Sequence, residues 1–196
     1  MKYFSHKDFN LDFLVKEKKT RGMSIGIGLP VRNESATLGP ILEVLKGCMV
    51  SGLIDDLIVL DSGSTDSSRE IAATAGVRTI LDSDTAAKYG VPLARGKGWN
   101  LWTSVLELKT DYVFWVDSDI QNFDKRFVLG LVGPVLCNSD IAFVKGFYDR
   151  PEGARVTELV VRPFINLLYP ESSEFIQPLS GEFGGKRDTG IIAWHP

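Results

Sequence analysis

Up to Arg21 every apolar run is broken by charge, and from Met23 the pattern changes. MSIGIGLP is a β-rich apolar run ended by Pro30, after which Asn33 or Ser35 can cap a helix through about Lys46. The cycle repeats with the apolar LIVLD at 57–61, a DSGSTD turn, and a helix from about Ser67, where Ser67 and Glu70 have capping-box spacing. A short strand is predicted from Val77 to Ile80, then a polar loop, then a helix from about Lys97 to Leu108. The strand YVFWV at 112–116 runs into Asp117-Ser118-Asp119, and a further helix and strand are predicted near 127–135 and 141–147. ARVTELVVRPFINLLYP reads as a helix that Pro163 kinks or divides, followed by a Gly-rich extended stretch, FIQPLSGEFGGKR.

Alternating apolar strands and amphipathic helices need crossover connections, which predicts an α/β fold with a mainly parallel sheet flanked by helices on both faces. Such sheets bind ligands at the carboxyl ends of their strands. Three polar clusters fall there: PVRNE at 30–34, DSGSTD at 61–66, and DSD at 117–119. Asp66 is open between a helix cap and a site residue. Asp117 and Asp119 are two apart on an extended chain, so both carboxylates face one point while Ser118 faces the other way. Two carboxylates about 4 Å apart repel by roughly 4 kcal/mol at an effective dielectric near 20, so the pair calls for a cation. Hard oxygen ligands favour Mg²⁺ or Mn²⁺, which keep waters and take further ligands from substrate phosphates. Lys97, flanked by Gly96 and Gly98 at a helix start, is suited to a phosphate or a sugar hydroxyl, and equally to a solvated surface.

Composition narrows the partners. A formal charge of −3 gives no general reason to bind nucleic acid or an anionic membrane, so an anionic ligand needs local counter-charge. The charged N-terminal segment contains neither a signal core nor a membrane span, which predicts a cytoplasmic protein. Cys48 and Cys137 form no C-x-x-C and read as buried thiols.

Three partial motifs fail on context. Five residues rather than four separate Gly90 from Gly96, and Gly98 stands where a phosphate-binding Walker loop needs Ser or Thr. Gly26 and Gly28 lie inside a strand with Val31 at the third glycine position of a dinucleotide fingerprint. Gly22-Met23-Ser24-Ile25-Gly26 leads into a strand, not from strand to helix as a nucleophile elbow must. The two histidines, His6 and His195, sit near the termini, so a Ser-His-Asp hydrolase is not expected.

Taken in order, LPVRNE, DSGSTD, GKG, the strand into DSD, FVKGFYDRP, GARVTEL and QPLSGEFGGKR resemble the glucosyl-3-phosphoglycerate synthases. These are retaining glycosyltransferases related to the mannosyl-3-phosphoglycerate synthases, and the resemblance covers roughly residues 2–187. It implies a GT-A type, Rossmann-like fold and transfer of glucose from UDP-glucose or GDP-glucose to D-3-phosphoglycerate with retention. By matching position, Leu29, Pro30, Val31 and Glu34 would line the nucleobase and ribose pocket with Ser62 nearby, and Lys97 would contact the nucleotide sugar. Asp117 and Asp119 would hold the metal and diphosphate with Ser118 beside them, and Leu179, Ser180 and Gly181 would pack along the donor sugar. Gly153, Ala154, Arg155, Val156 and Thr157 would hold the acceptor. A helix start there, with free N–H groups, a hydroxyl and Arg155, suits an anion.

The expected organisation is an N-terminal extension over 1–22, a nucleotide-sugar-binding domain over 23–150, and the start of an acceptor-binding region over 151–196. The likeness stops after Arg187, and the resemblance implies further helices, a metal-binding histidine and acceptor contacts that this chain lacks. Two alternatives stand beside the enzyme: a nucleotide-sugar-binding fragment without turnover, and a glycosyltransferase with another acceptor such as a lipid phosphate. UDP against GDP, glucose against mannose, and oligomeric state, a homodimer included, stay open.

Overall fold

The computed structural model of the chain describes residues 1–94, 96–148 and 156–188. Its centre is a six-stranded sheet in the order β3-β2-β1-β4-β6-β5. The strands are β1 (Ile25–Val31), β2 (Asp56–Asp61), β3 (Arg78–Leu81), β4 (Tyr112–Trp115), β5 (Phe143–Lys145) and β6 (Phe183–Lys186). β1 pairs in parallel with β2 and β4, and β2 in parallel with β3. The parallel half is therefore as the sequence pattern predicts, whereas β6 runs antiparallel to both β4 and β5 and makes the sheet mixed.

Side chains alternate across the strands, dividing the core in two. Ile25, Ile27, Leu29, Val31, Leu57, Val59 and Phe114 face one layer, formed by α1 (Leu11–Arg21), α2 (Leu38–Val50) and α6 (Lys125–Cys137). Ile58, Leu60, Val113 and Trp115 face the other, against α5 (Lys97–Glu107). The strand glycines now have a packing reason. A Cβ at Gly26 would lie 2.6 Å from Thr110 Oγ1, and one at Gly28 would lie 3.2 Å from both Leu60 Cδ1 and Ser104 Cβ, so β1 is bare where α5 and its following turn approach. Trp115 fixes that layer by donating its Nε1–H to Ser104 Oγ at 2.7 Å.

Several boundaries differ from the sequence reading. The segment read as a polar loop contains α4 (Asp82–Tyr89), whose first turn carries Asp82 and Asp84 and whose cap is Gly90 in the left-handed region. α2 begins at Leu38, capped at Thr37 without a side-chain bond, and neither Asn33 nor Ser35 caps it. Asn33 instead sits at φ 59° and accepts from Thr65 N at 2.7 Å. α3 (Ser68–Thr74) has Ser67 at its N-cap, but the capping box does not form. Asp66 takes over that role and accepts from Ser68 N at 3.0 Å and Ser68 Oγ at 2.6 Å. The segment around Pro163 is divided: a π turn, Thr157–Val161, leads into α7 (Arg162–Leu168), with Pro163 in the first helical turn where its missing N–H is harmless.

Candidate nucleotide-sugar site

Because β1, β2 and β4 are parallel, their carboxyl ends bring PVRNE, DSGSTD and DSD to one edge of the sheet, as expected. There they surround a cavity of about 650 Å³ lined by Pro30, Val31, Glu34, Ser62, Lys97, Asn100, Asp117, Ser118 and Asp119, among others. Hydrogen bonds join the three loops. Asn33 N donates to Ser64 Oγ (3.0 Å), Glu34 N to Ser68 Oγ (2.9 Å) and Ser35 N to Asp66 Oδ2 (3.0 Å). Ser118 is buried, donates its hydroxyl to the Pro30 carbonyl (2.6 Å), and has its own carbonyl bound by Thr37 Oγ1 (2.6 Å). The carboxylates of 117 and 119 thus project from a backbone tied to β1 through the residue between them.

Asp61 is structural. Its buried carboxylate accepts from Gly63 N (3.2 Å), Ser64 N (3.1 Å) and Arg69 Nε (2.6 Å), which shapes the turn after β2. Ser62, the next residue, receives Asn100 Nδ2 at 2.9 Å, and the same amide donates to the Leu60 carbonyl at 3.3 Å. Asn100 is therefore a wall residue that the sequence pattern did not single out, because a buried asparagine inside a helix carries no local signature. Asp82 also lines the cavity, with its carboxyl pushed up by burial.

Negative charge dominates the mouth. The Glu34 carboxyl is raised above its ordinary value first by burial and then by Asp119, Asp66 and Asp117. Among the described residues Lys97 forms an ion pair with Asp117 through its ammonium. Among the described residues no group of three or more His, Cys, Asp or Glu is gathered as a metal cage. Two carboxylates in a field acidic enough to disturb a neighbouring glutamate nevertheless fit a hard divalent ion that completes its shell with phosphate oxygens and water.

Other expected residues fall elsewhere. Leu29 is fully buried in the core and does not line the cavity with its side chain. Ser180 is buried and Leu179 exposed. Gly181 lies directly on Asp117: a Cβ there would overlap the carboxylate. Of the acceptor residues, Val156 is exposed and Thr157 opens the π turn, while Gly153, Ala154 and Arg155 lie outside the described residues, as does His195.

The comparisons bear on the family. The family model for glycosyl transferase family 2 matches residues 27–163. The glucosyl-3-phosphoglycerate synthase of Petrotoga mobilis is 42% identical over 94% of this chain and 60% of its own length. Among solved structures, the chain is similar to the Mycobacterium tuberculosis glucosyl-3-phosphoglycerate synthase in complex with Mn²⁺, UDP and glucosyl-3-phosphoglycerate, with TM-score 0.83 and 40% identity over 91% of this chain and 61% of that one. The same enzyme is also known with Mg²⁺ and UDP. Mannosyl-3-phosphoglycerate synthase from Rubrobacter xylanophilus superposes with TM-score 0.87 at 34% identity, over 94% of this chain and 60% of that one. The chain thus spans about three fifths of the length of these relatives. With the family model spanning the sheet from β1 to the start of α7, the chain belongs to glycosyl transferase family 2.

Proposed function

We propose that this chain is the donor-binding part of a glucosyl-3-phosphoglycerate synthase, which transfers glucose from UDP-glucose or GDP-glucose to 3-phosphoglycerate with retention. The observation that carries the reading is the acidic mouth of the cavity, with Asp117 and Asp119 at the end of β4 and Lys97 at the start of α5. In this reading Pro30, Val31, Glu34 and Ser62 hold the base and ribose. Asp117 and Asp119 hold Mg²⁺ or Mn²⁺, which would neutralise the diphosphate leaving group. Lys97 supplies a second positive charge to the diphosphate, and 179–181 border the sugar. The acceptor anion belongs at 153–157, where Arg155 offers a charge-assisted contact.

Support for the donor comes from relatives whose crystals hold UDP with Mn²⁺ or Mg²⁺, and support for the acceptor from the product found in one of them. Calorimetry with UDP-glucose, GDP-glucose and GDP-mannose, with and without Mn²⁺, tests the reading, alongside an assay for glucosyl transfer to 3-phosphoglycerate. Metal-dependent binding with transfer supports the enzyme. Binding without transfer favours a donor-binding fragment, and transfer to a lipid phosphate favours the other acceptor. Asp119→Ala should abolish the metal-dependent part of the affinity and leave the fold intact. Unchanged Mn²⁺-dependent affinity in that variant would overturn the metal assignment.

A further inference from the structure

Lys145 ends β5 with the pattern FVK, a lysine closing an apolar strand, and nothing in the donor-site reading uses it. Its ammonium lies 4.5 Å from the centre of the Phe183 ring and donates to the Ser180 carbonyl. The contact is reciprocated one residue along, where Ser180 Oγ donates to the Gly146 carbonyl at 2.5 Å. Gly146 N in turn donates to the Glu182 carbonyl at 2.7 Å, and a Cβ at Gly146 would lie 3.0 Å from Glu182 Cβ and from its carbonyl oxygen. Residues 145 and 146 therefore grip 180–182 from one side. On the other side Gly181 rests on the Asp117 carboxylate with no room for a side chain.

The ammonium is also within the electrostatic reach of the donor cavity. Burial pushes its pKa down to about 8, opposed by Glu182, with smaller influences from Lys97 and Asp117. Burial makes the ammonium costly to hold, and the buried Glu182 carboxylate near it makes the ammonium costly to remove, since taking one partner from a buried charge pair leaves the other uncompensated. The same contacts hold the geometry of the 180–182 segment.

We propose that Lys145 is a positioning residue for the donor sugar: by holding the Ser180 carbonyl it keeps the 179–181 turn seated against Asp117, where the hexose would lie. This rests on the donor-site reading above. It makes a separable demand, because the turn borders the sugar and not the nucleotide. Loss of Lys145 should therefore be felt by the nucleotide sugar and not by the nucleoside diphosphate alone.

The experiment compares wild type, Lys145→Met and Lys145→Arg by calorimetry in Mn²⁺, using UDP with UDP-glucose and GDP with GDP-glucose. In Lys145→Met the affinity for the bound nucleotide sugar should fall about tenfold, the scale of one charge-assisted hydrogen bond, while that for the nucleoside diphosphate stays the same. Lys145→Arg, which keeps the donor and the charge, should recover most of the loss. Lys145→Met leaves Glu182 without its nearby positive charge and should lower the thermal midpoint, so the test is the difference between the two ligands, which a purely structural role would not produce. Equal losses for both ligands, or no loss for either, overturns the proposal. Should Lys145→Met not fold, Lys145→Gln in the same titration decides, and equal losses for both ligands in that variant overturn the proposal. Wild type binding neither ligand pair would overturn the donor-site reading, and this inference with it.

Discussion

Gly181 shows how closely single residues set the acidic mouth. Any Cβ at this position overlaps the Asp117 carboxylate, so Gly181→Ala has to move either the turn or the carboxylate. Overpacking of this kind usually costs about 1–3 kcal/mol. The expected result is a loss of Mn²⁺-dependent nucleotide affinity of about tenfold or more, read by calorimetry, because the displaced group is the proposed ligand. Full affinity would mean that the turn gives way and the carboxylate keeps its place. Asp117 and Asp119 stood out in the sequence as two acids just beyond an apolar strand, but the strand ends at Trp115 and 118–119 form a turn, so turn geometry and not strand period directs their side chains. Lys145, Glu182 and Asn100 did not stand out. Lys145 meets Ser180 across a separation of 35 residues, and only the antiparallel placement of β6 brings them together. No window of local sequence contains that contact.

Among the elements, α4 escaped the pattern because only Thr85 and Ala86 of its eight residues are buried, too few to mark a helical face. The late start of α2 has a different cause. Residues 33–35 are drawn into bonds with Ser64, Ser68 and Asp66 across the site, so the segment that could cap a helix is spent joining two loops. Asp66 connects these loops to α3, and its carboxyl is held well below the usual range, chiefly by the Ser68 hydroxyl, with burial opposing and backbone N–H groups of Ser68 and Ser35 adding to the lowering. A carboxyl depressed in the folded state adds stability above its ordinary value of 3.8, and that contribution is lost as pH falls through and below it. Urea unfolding at neutral pH and near pH 3 should therefore show Asp66→Asn less stable than wild type at neutral pH, with the gap narrowing in acid. A gap that is the same at both pH values would show that Asp66 contributes by shape and not by charge.

Across the whole molecule, the parallel half of the sheet could be read from the alternation of strands and helices, and the antiparallel half could not. β5, which follows α6, runs in the same sense as β4, and β6 alone is reversed, because its direction depends on how the chain returns after α7, which no local residue pattern encodes. The same region leaves apolar side chains in water. Leu159 is 74% exposed and Leu167 77%, with Val156, Val160, Phe164 and Leu168 around them. Contiguous apolar surface of this kind favours association. Sedimentation of the 196-residue chain should show mass rising with concentration, and Leu167→Glu should shift it toward monomer. A monomer at all concentrations in the wild-type chain would mean that this face is covered within the chain itself.

The Lys97–Asp117 ion pair has a further consequence: before any ion arrives, the protein carries a resident cation on a proposed metal ligand. On the proposed reading, metal and ammonium would compete for one carboxylate, and an ammonium displaced from it would be released beside the diphosphate. Entry of the ion would thus prime the protein for nucleotide, and linkage would require the nucleotide to tighten the ion by the same factor. Lys97→Met breaks the exchange in a signed way. The free protein should bind Mn²⁺ more tightly, having lost the competitor, and UDP more weakly, having lost the charge it would have received. Titrating each ligand in the presence and absence of the other measures both factors. Weaker Mn²⁺ binding by Lys97→Met would show that the lysine orders the carboxylate for the ion and does not stand in for it.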